Sequence, residues 1–143
     1  MDLGLFEVDK EVQKNTRAAL DVFRSLGAKV EEIDLGWPKD ALEMGMKYLE
    51  HLFGASLSKL LEDHGDDLCT YTRKFAEDGQ ASKSTDFVAS LETAGQMYEK
   101  LGPLLEKYVV LICPTNSLPA VPADHDQTKD EVRINGKLVN PSL

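Results

Sequence analysis

Ser56-Leu57-Ser58-Lys59 has the S-x-x-K spacing, in which a lysine one helical turn beyond a serine can take up the hydroxyl proton and create a nucleophile. The S-D-N and K-T-G elements that complete such a hydrolase site are absent from the sequence. Ser56 also falls within an apolar stripe at helical spacing, where a hydroxyl ordinarily bonds back to a carbonyl of the preceding turn. The pattern reads as helix, not as catalysis.

Asp124-His125-Asp126, with Asp130 and Glu131 close behind, gathers the oxygens and imidazole that a divalent cation requires. An EF-hand loop started at Asp124 needs glycine at its sixth position and glutamate at its twelfth, yet Lys129 and Asn135 stand there. A solvated acidic loop is the reading. His51 and His64 have no second ligand four residues on. Cys69 and Cys113 match neither a disulfide framework nor a zinc spacing, and Cys113 is expected as a small core residue. The glycines form no G-x-G-x-x-G, phosphate-cradling loop or nucleophile elbow.

Hydrophobic period defines the elements that would position any site. Val12, Thr16, Leu20, Phe23 and Leu26 share one face between Asp9, a suitable N-cap, and Gly27, which predicts a helix over 9–26. Residues 28–35 alternate, inward at Ala28 and Val30 and then at Ile33 and Leu35, as a half-buried strand with one bulge does. After Trp37-Pro38, the stripe Leu42, Met46, Leu49, Phe53, Leu57 and Leu60 predicts a helix over 38–63. A short helix over 67–76 follows, then a loop at 77–82.

The clearest period is Phe87, Leu91, Ala94, Tyr98, Leu101, Leu105 and Tyr108, a long helix over 84–107 capped by Ser84 and kinked at Gly102-Pro103. Val109-Val110-Leu111-Ile112-Cys113, closed by Pro114, predicts a strand over 109–113 buried on both faces. Residues 114–143 read as a loop and hairpin tail, with Asn135-Gly136 as its tight turn, ending at Asn140-Pro141-Ser142-Leu143. The fold class is α/β, mostly helical.

Sixteen Lys and Arg against 25 Asp and Glu leave a net charge of −9, spread along the chain. Phosphate backbones and anionic membrane surfaces are repelled by that charge. No apolar run is long enough to span a bilayer, and Met1–Glu7 lacks the basic and apolar regions of a leader. A cytoplasmic location is expected, with neither nucleic-acid nor membrane partners.

Three stretches, taken in order and at consistent spacing, resemble the C-terminal part of amidase signature enzymes. Asp2-Leu3-Gly4-Leu5-Phe6-Glu7-Val8-Asp9-Lys10-Glu11-Val12 is similar to the family's strand end and its VDPEV helix start. Residues 26–35, LGAKVEEIDL, resemble LGAEVEEVDLP, and residues 108–115, YVVLICPT, resemble YDVLLTPT. Ile134-Asn135-Gly136-Lys137 sits where family members often carry a glycine-bearing hairpin. Cys113 and Asn116 depart from the family's usual threonines, and Gly102-Pro103 interrupts a helix the family leaves unbroken.

The resemblance implies a parent enzyme that hydrolyses carboxamide C–N bonds with a serine nucleophile, a second serine on a cis peptide and a lysine base. It implies no metal and no organic cofactor. None of those three residues is implied within this chain, so no catalytic, cofactor-binding or metal-binding residue is assigned. Substrate contacts stay open among Tyr48, Phe53, Tyr71, Phe87 and Tyr98. Residues 1–143 are then expected to form one partial domain, cut at both ends and inactive alone. It would add strands to the edge of a mixed sheet and shape the substrate entrance. The expected partners are the missing N-terminal part of the enzyme, or a second copy by self-association, with a small amide as the parent's substrate. From the residues alone, the competing expectation is a non-enzymatic helical interaction module using the stripe from Phe87 to Tyr108.

Overall fold

Asp9 starts the first helix as its residue type predicts, its carboxylate accepting the Glu11 amide at 2.8 Å, and α1 runs from Lys10 to Ser25. Gly27, at φ +90°, ends it: the Gly27 and Ala28 amides donate to the Arg24 and Phe23 carbonyls at 3.0 Å, a Schellman closure. The structure is a computed structural model and describes residues 1–139, so the predicted chain ending at 140–143 lies outside the described residues.

The helix predicted over 38–63 is present but wound unevenly. α2 (Ala41–Leu49) passes into a π-helical turn at Glu50–Gly54, then α3 (Ala55–Leu57), a 3₁₀ turn at Ser58–Leu60, α4 (Leu61–His64) and a second 3₁₀ turn at Gly65–Asp67. The π turn lies where α5 (Thr70–Gln80) crosses at backbone distance, a contact open only to residues without side chains. Wholly buried Ala76 completes the crossing. This packing also corrects the loop predicted at 77–82, because α5 must continue through Gly79 to present both small residues on one face.

α6 spans Ser84–Lys107, the predicted range, and continues through Pro103. Lys83 occupies the cap position and Ser84 is the first helical residue. The buried face differs from the predicted stripe. Ser90 and Thr93 are buried, whereas Leu91, Tyr98 and Leu105 are exposed, Tyr98 at 72%. α2 packs against α6, with Tyr48 on Phe87, and the residues α6 buries are the small Ser90 and Thr93.

Neither strand predicted over 28–35 and 109–113 is formed. Among the described residues, these segments join no ladder; the single sheet is the antiparallel hairpin of β1 (Val132–Ile134) and β2 (Lys137–Val139). A strand exists only where a neighbour about 4.8 Å away satisfies its amides and carbonyls. Beside the second segment, the Tyr108 hydroxyl donates to the Glu31 carboxylate of the first. The fold is therefore mostly helical with one small antiparallel sheet.

In the hairpin turn, Asn135 and Gly136 both hold positive φ, +52° and +82°, as the Asn-Gly pair predicts. Its register pairs Val132 with Val139 and Ile134 with Lys137. The turn docks on the start of α1. Asn135 Oδ1 accepts the Lys10 amide at 3.1 Å, and its Nδ2 donates to the Val8 carbonyl at 2.9 Å and to Glu7 Oε1 at 3.0 Å. Lys137 pairs with Glu7 at 2.9 Å. Val8 and Ile134 are buried beside this junction.

The core is otherwise thin. Among the described residues, the buried hydrophobic ones are Val8, Leu35, Ala41, Ala76 and Ile134, and α1 buries none of its residues. The chain exposes 10136 Å². A compact monomer of 15.8 kDa exposes about 7300 Å², so roughly 2800 Å² of additional surface lies open. Among the described residues, no helix is long and apolar enough to cross a membrane.

Candidate functional site

The π turn aims His51 across the molecule toward the junction between α5 and α6. His51 Nδ1 lies 3.2 Å from Ser82 Oγ, and its ring stacks on Phe87 with centroids 4.6 Å apart. Tyr48, one turn earlier on α2, stacks on the same Phe87 ring at 5.6 Å. π turns widen a helix by one residue and recur at functional sites. Tyr48 and His51, three residues apart, both stack on this one aromatic ring.

Beside this stack lies a cleft of about 320 Å³ lined by Lys47, Glu50, Lys74, Asp78, Ser82 and Asp86. Lys47 reaches Glu50 at 3.0 Å, which raises the lysine's pKa above its ordinary value. Lys74 holds Asp78 at 2.6 Å. Both ammonium groups thus face carboxylates already, and the cleft wall is internally ion-paired. A larger depression of about 470 Å³ along α1, lined by residues such as Lys14 and Arg17, is open surface without a nucleophile or imidazole.

A serine hydroxyl within reach of an imidazole is the first half of an activated nucleophile. The second half is a group that orients the other ring nitrogen, and none is found among the described residues; Phe87 packs flat on the ring instead. The His51–Ser82 bond therefore joins the π turn to the connection between α5 and α6, on the cleft wall.

The residues singled out from sequence are scattered. Ser56 and Lys59 are exposed, and it is Ser58 whose hydroxyl bonds back, to the Ala55 carbonyl at 2.8 Å. Asp126 accepts from the Thr128 hydroxyl at 2.6 Å, the Thr128 amide at 2.9 Å and the Thr70 hydroxyl at 3.1 Å. The Thr128 bonds chiefly hold that carboxyl well below the usual carboxylate range. Lone pairs a cation would need are spent on this loop, and no metal-binding group of three is present among the described residues. His64 sits beside Asp67 at 3.7 Å on the surface.

Cys113 is exposed, contrary to its predicted core position, because the strand it was to end is not formed. Of the aromatic candidates, Tyr48 and Phe87 meet at the cleft, whereas Tyr71 stacks on Phe75 and Phe53 and Tyr98 face solvent. The His51–Ser82 pairing was invisible in sequence, since thirty-one positions separate the two. The spacing of Tyr48 and His51 on one helix face was its only local signal.

Comparison of the chain with protein-family models, curated proteins and solved structures finds no match.

Proposed function

We propose that this chain supplies architecture, rather than the nucleophile, to a cytoplasmic enzyme of the amidase signature type that hydrolyses carboxamides. The observation that carries the reading is the unpaired segment 109–112, in which Val109 is 97% exposed and Val110 and Ile112 are also open. Apolar β-branched residues in that state lose the burial that their types provide elsewhere, about 25 cal/mol per Å². In the proposed enzyme, the segment lies beside a strand of the catalytic part. The aromatic stack at His51 and its cleft then form part of the substrate surround, and the serines and lysine that perform the reaction belong to the catalytic part.

The experiment is to sequence the genomic region upstream of Met1. An in-frame lysine and a Gly-Gly-Ser-Ser-Gly-Gly-Ser-like segment are expected there. The joined polypeptide is expected to release ammonia from carboxamides and to lose that activity on serine-to-alanine substitution. A joined polypeptide that leaves a panel of carboxamides intact overturns the reading, as does an upstream region without those residues.

A second reading has its own observation. Leu91, Tyr98 and Leu105 recur at seven-residue spacing on the open side of α6, the arrangement of a helix that receives a partner helix. A partner captured by this face, and lost on Tyr98→Glu, would favour a non-enzymatic interaction module.

A further inference from the structure

We propose that Asn135 is a site of spontaneous covalent modification, and that its conversion to aspartate or isoaspartate releases the hairpin from the start of α1. The inference stands apart from the amidase reading, because the bond that breaks is the chain's own side-chain amide.

The chemistry starts in the turn. Of the four asparagines, Asn135 alone precedes a glycine. In such a pair no side chain shields the following backbone nitrogen, which is free to attack the asparagine Cγ. Asn135 and Gly136 are both exposed, and nothing lies within 4 Å of a Cβ built on Gly136. Among the described residues, the Gly136 amide donates no hydrogen bond. The Gly136 nitrogen bonds to Asn135 Cγ and gives up its proton, the Cγ–Nδ2 bond breaks, and ammonia leaves a cyclic imide. Water then adds to either imide carbonyl and opens the ring to aspartate or isoaspartate. The net change is amide plus water to acid plus ammonia.

Docking on α1 sets the rate. The side-chain amide accepts the Lys10 amide at 3.1 Å and donates to the Val8 carbonyl at 2.9 Å and Glu7 Oε1 at 3.0 Å. These partners fix its orientation, since only Oδ1 accepts and only Nδ2 donates. Cyclisation makes the planar Cγ tetrahedral and expels Nδ2, so all three bonds are lost on the way. Conversion therefore proceeds from the fraction of molecules in which the hairpin has opened locally.

The product does not fit the dock. Where Nδ2 donated, an acid oxygen faces two acceptors, the Glu7 carboxylate and the Val8 carbonyl. Lys137, 2.9 Å from Glu7, is then one cation beside two carboxylates. Because α1 buries none of its residues, loss of these polar ties frees its first turn.

The test incubates the full chain, folded and in urea, and reads conversion at Asn135 by peptide mass spectrometry. Conversion is expected in both, at least about tenfold slower in the fold, and Glu7→Ala is expected to narrow that gap. Equal rates in fold and urea overturn the gating by the dock. Asn135→Asp is expected to speed hydrogen exchange at the Lys10 amide by at least about tenfold, with an unchanged circular dichroism spectrum. Adding Glu7→Gln, whose amide can donate to the new acid, is expected to restore the protection. Unchanged exchange in Asn135→Asp overturns the release, and failure of Glu7→Gln to restore it overturns the clash as its cause. Ammonia from this reaction is a single molecule per chain and needs no added carboxamide, so it is not confused with turnover by the joined polypeptide.

Discussion

Gly54 and Gly79 meet backbone to backbone: a Cβ on Gly79 would collide with the Gly54 carbonyl carbon, and one on Gly54 would lie 2.7 Å from the Phe75 carbonyl oxygen. Neither neighbour is a flexible side-chain tip that can swing aside. Gly79→Ala is expected to force the π turn off α5 and cost about 3 kcal/mol or more, read as a lower urea midpoint. Gly45→Ala is the matched control, since nothing lies within 4 Å of its added methyl. As a helical position in open space, it should gain about 0.5 to 1 kcal/mol. Equal effects at the two sites would remove the close crossing from the account.

Asn135 serves the hairpin and α1 at once, through its positive φ and its three bonds to Glu7, Val8 and Lys10. Two substitutions separate these contributions. Asn135→Gly keeps the backbone conformation and loses the side-chain bonds, for an expected cost of about 1 to 3 kcal/mol. Asn135→Ala adds left-handed strain of about 1 kcal/mol more. Urea unfolding of both variants checks the order, which reverses if the turn is held by something other than these bonds.

The features legible in sequence are those decided within a few residues. Asp9 and Gly27 bracket α1 because capping is local chemistry, and Asn135-Gly136 marks its turn because few pairs tolerate two positive φ angles. The extent of α6 follows from its period for the same reason. Which face of α6 is buried was not legible, because Ser90 and Thr93 look polar until α2 is seen to need their small size. Residues 28–35 and 109–113 have strand character, yet a strand is a property of two segments, and a single sequence does not state the partner. The cleft was hidden likewise: His51, Ser82 and Phe87 come together only once Gly54 and Gly79 set the crossing of α5.

Glu31, in the unpaired segment 28–35, meets Tyr108 just before the segment 109–113, and its carboxyl is held down to about 2 by Lys29 first and then by the Tyr108 hydroxyl. A carboxyl depressed in the fold contributes stability above its ordinary value of 4.5, and that contribution drains away as pH falls toward 2. In a carbon-detected NMR titration, Glu31 should therefore ionise below the ordinary glutamate range. Tyr108→Phe should move its titration upward, and Glu31→Gln should flatten the acid dependence of stability between those two values. A Glu31 midpoint near 4.5 in the unaltered chain would mean that neither the Lys29 contact nor the Tyr108 contact is made in solution.

Cys69 occupies the cap position of α5, with its Sγ 3.1 Å from the Thr72 hydroxyl. That hydroxyl, followed by the Thr72 amide, lowers the thiol's pKa from its ordinary value. The thiolate is the reactive form, so a lowered pKa enlarges the reactive fraction at neutral pH. Both cysteines are exposed, and access alone does not rank them. At low protein concentration, iodoacetamide is expected to label Cys69 ahead of Cys113, read by peptide mass spectrometry. Thr72→Val should slow Cys69 and leave Cys113 untouched, because it removes the hydroxyl at the sulfur while keeping the helix and the accessibility. If both cysteines slow together, the variant has changed exposure rather than the thiol, and the hydrogen bond to Thr72 is not what sets the reactivity.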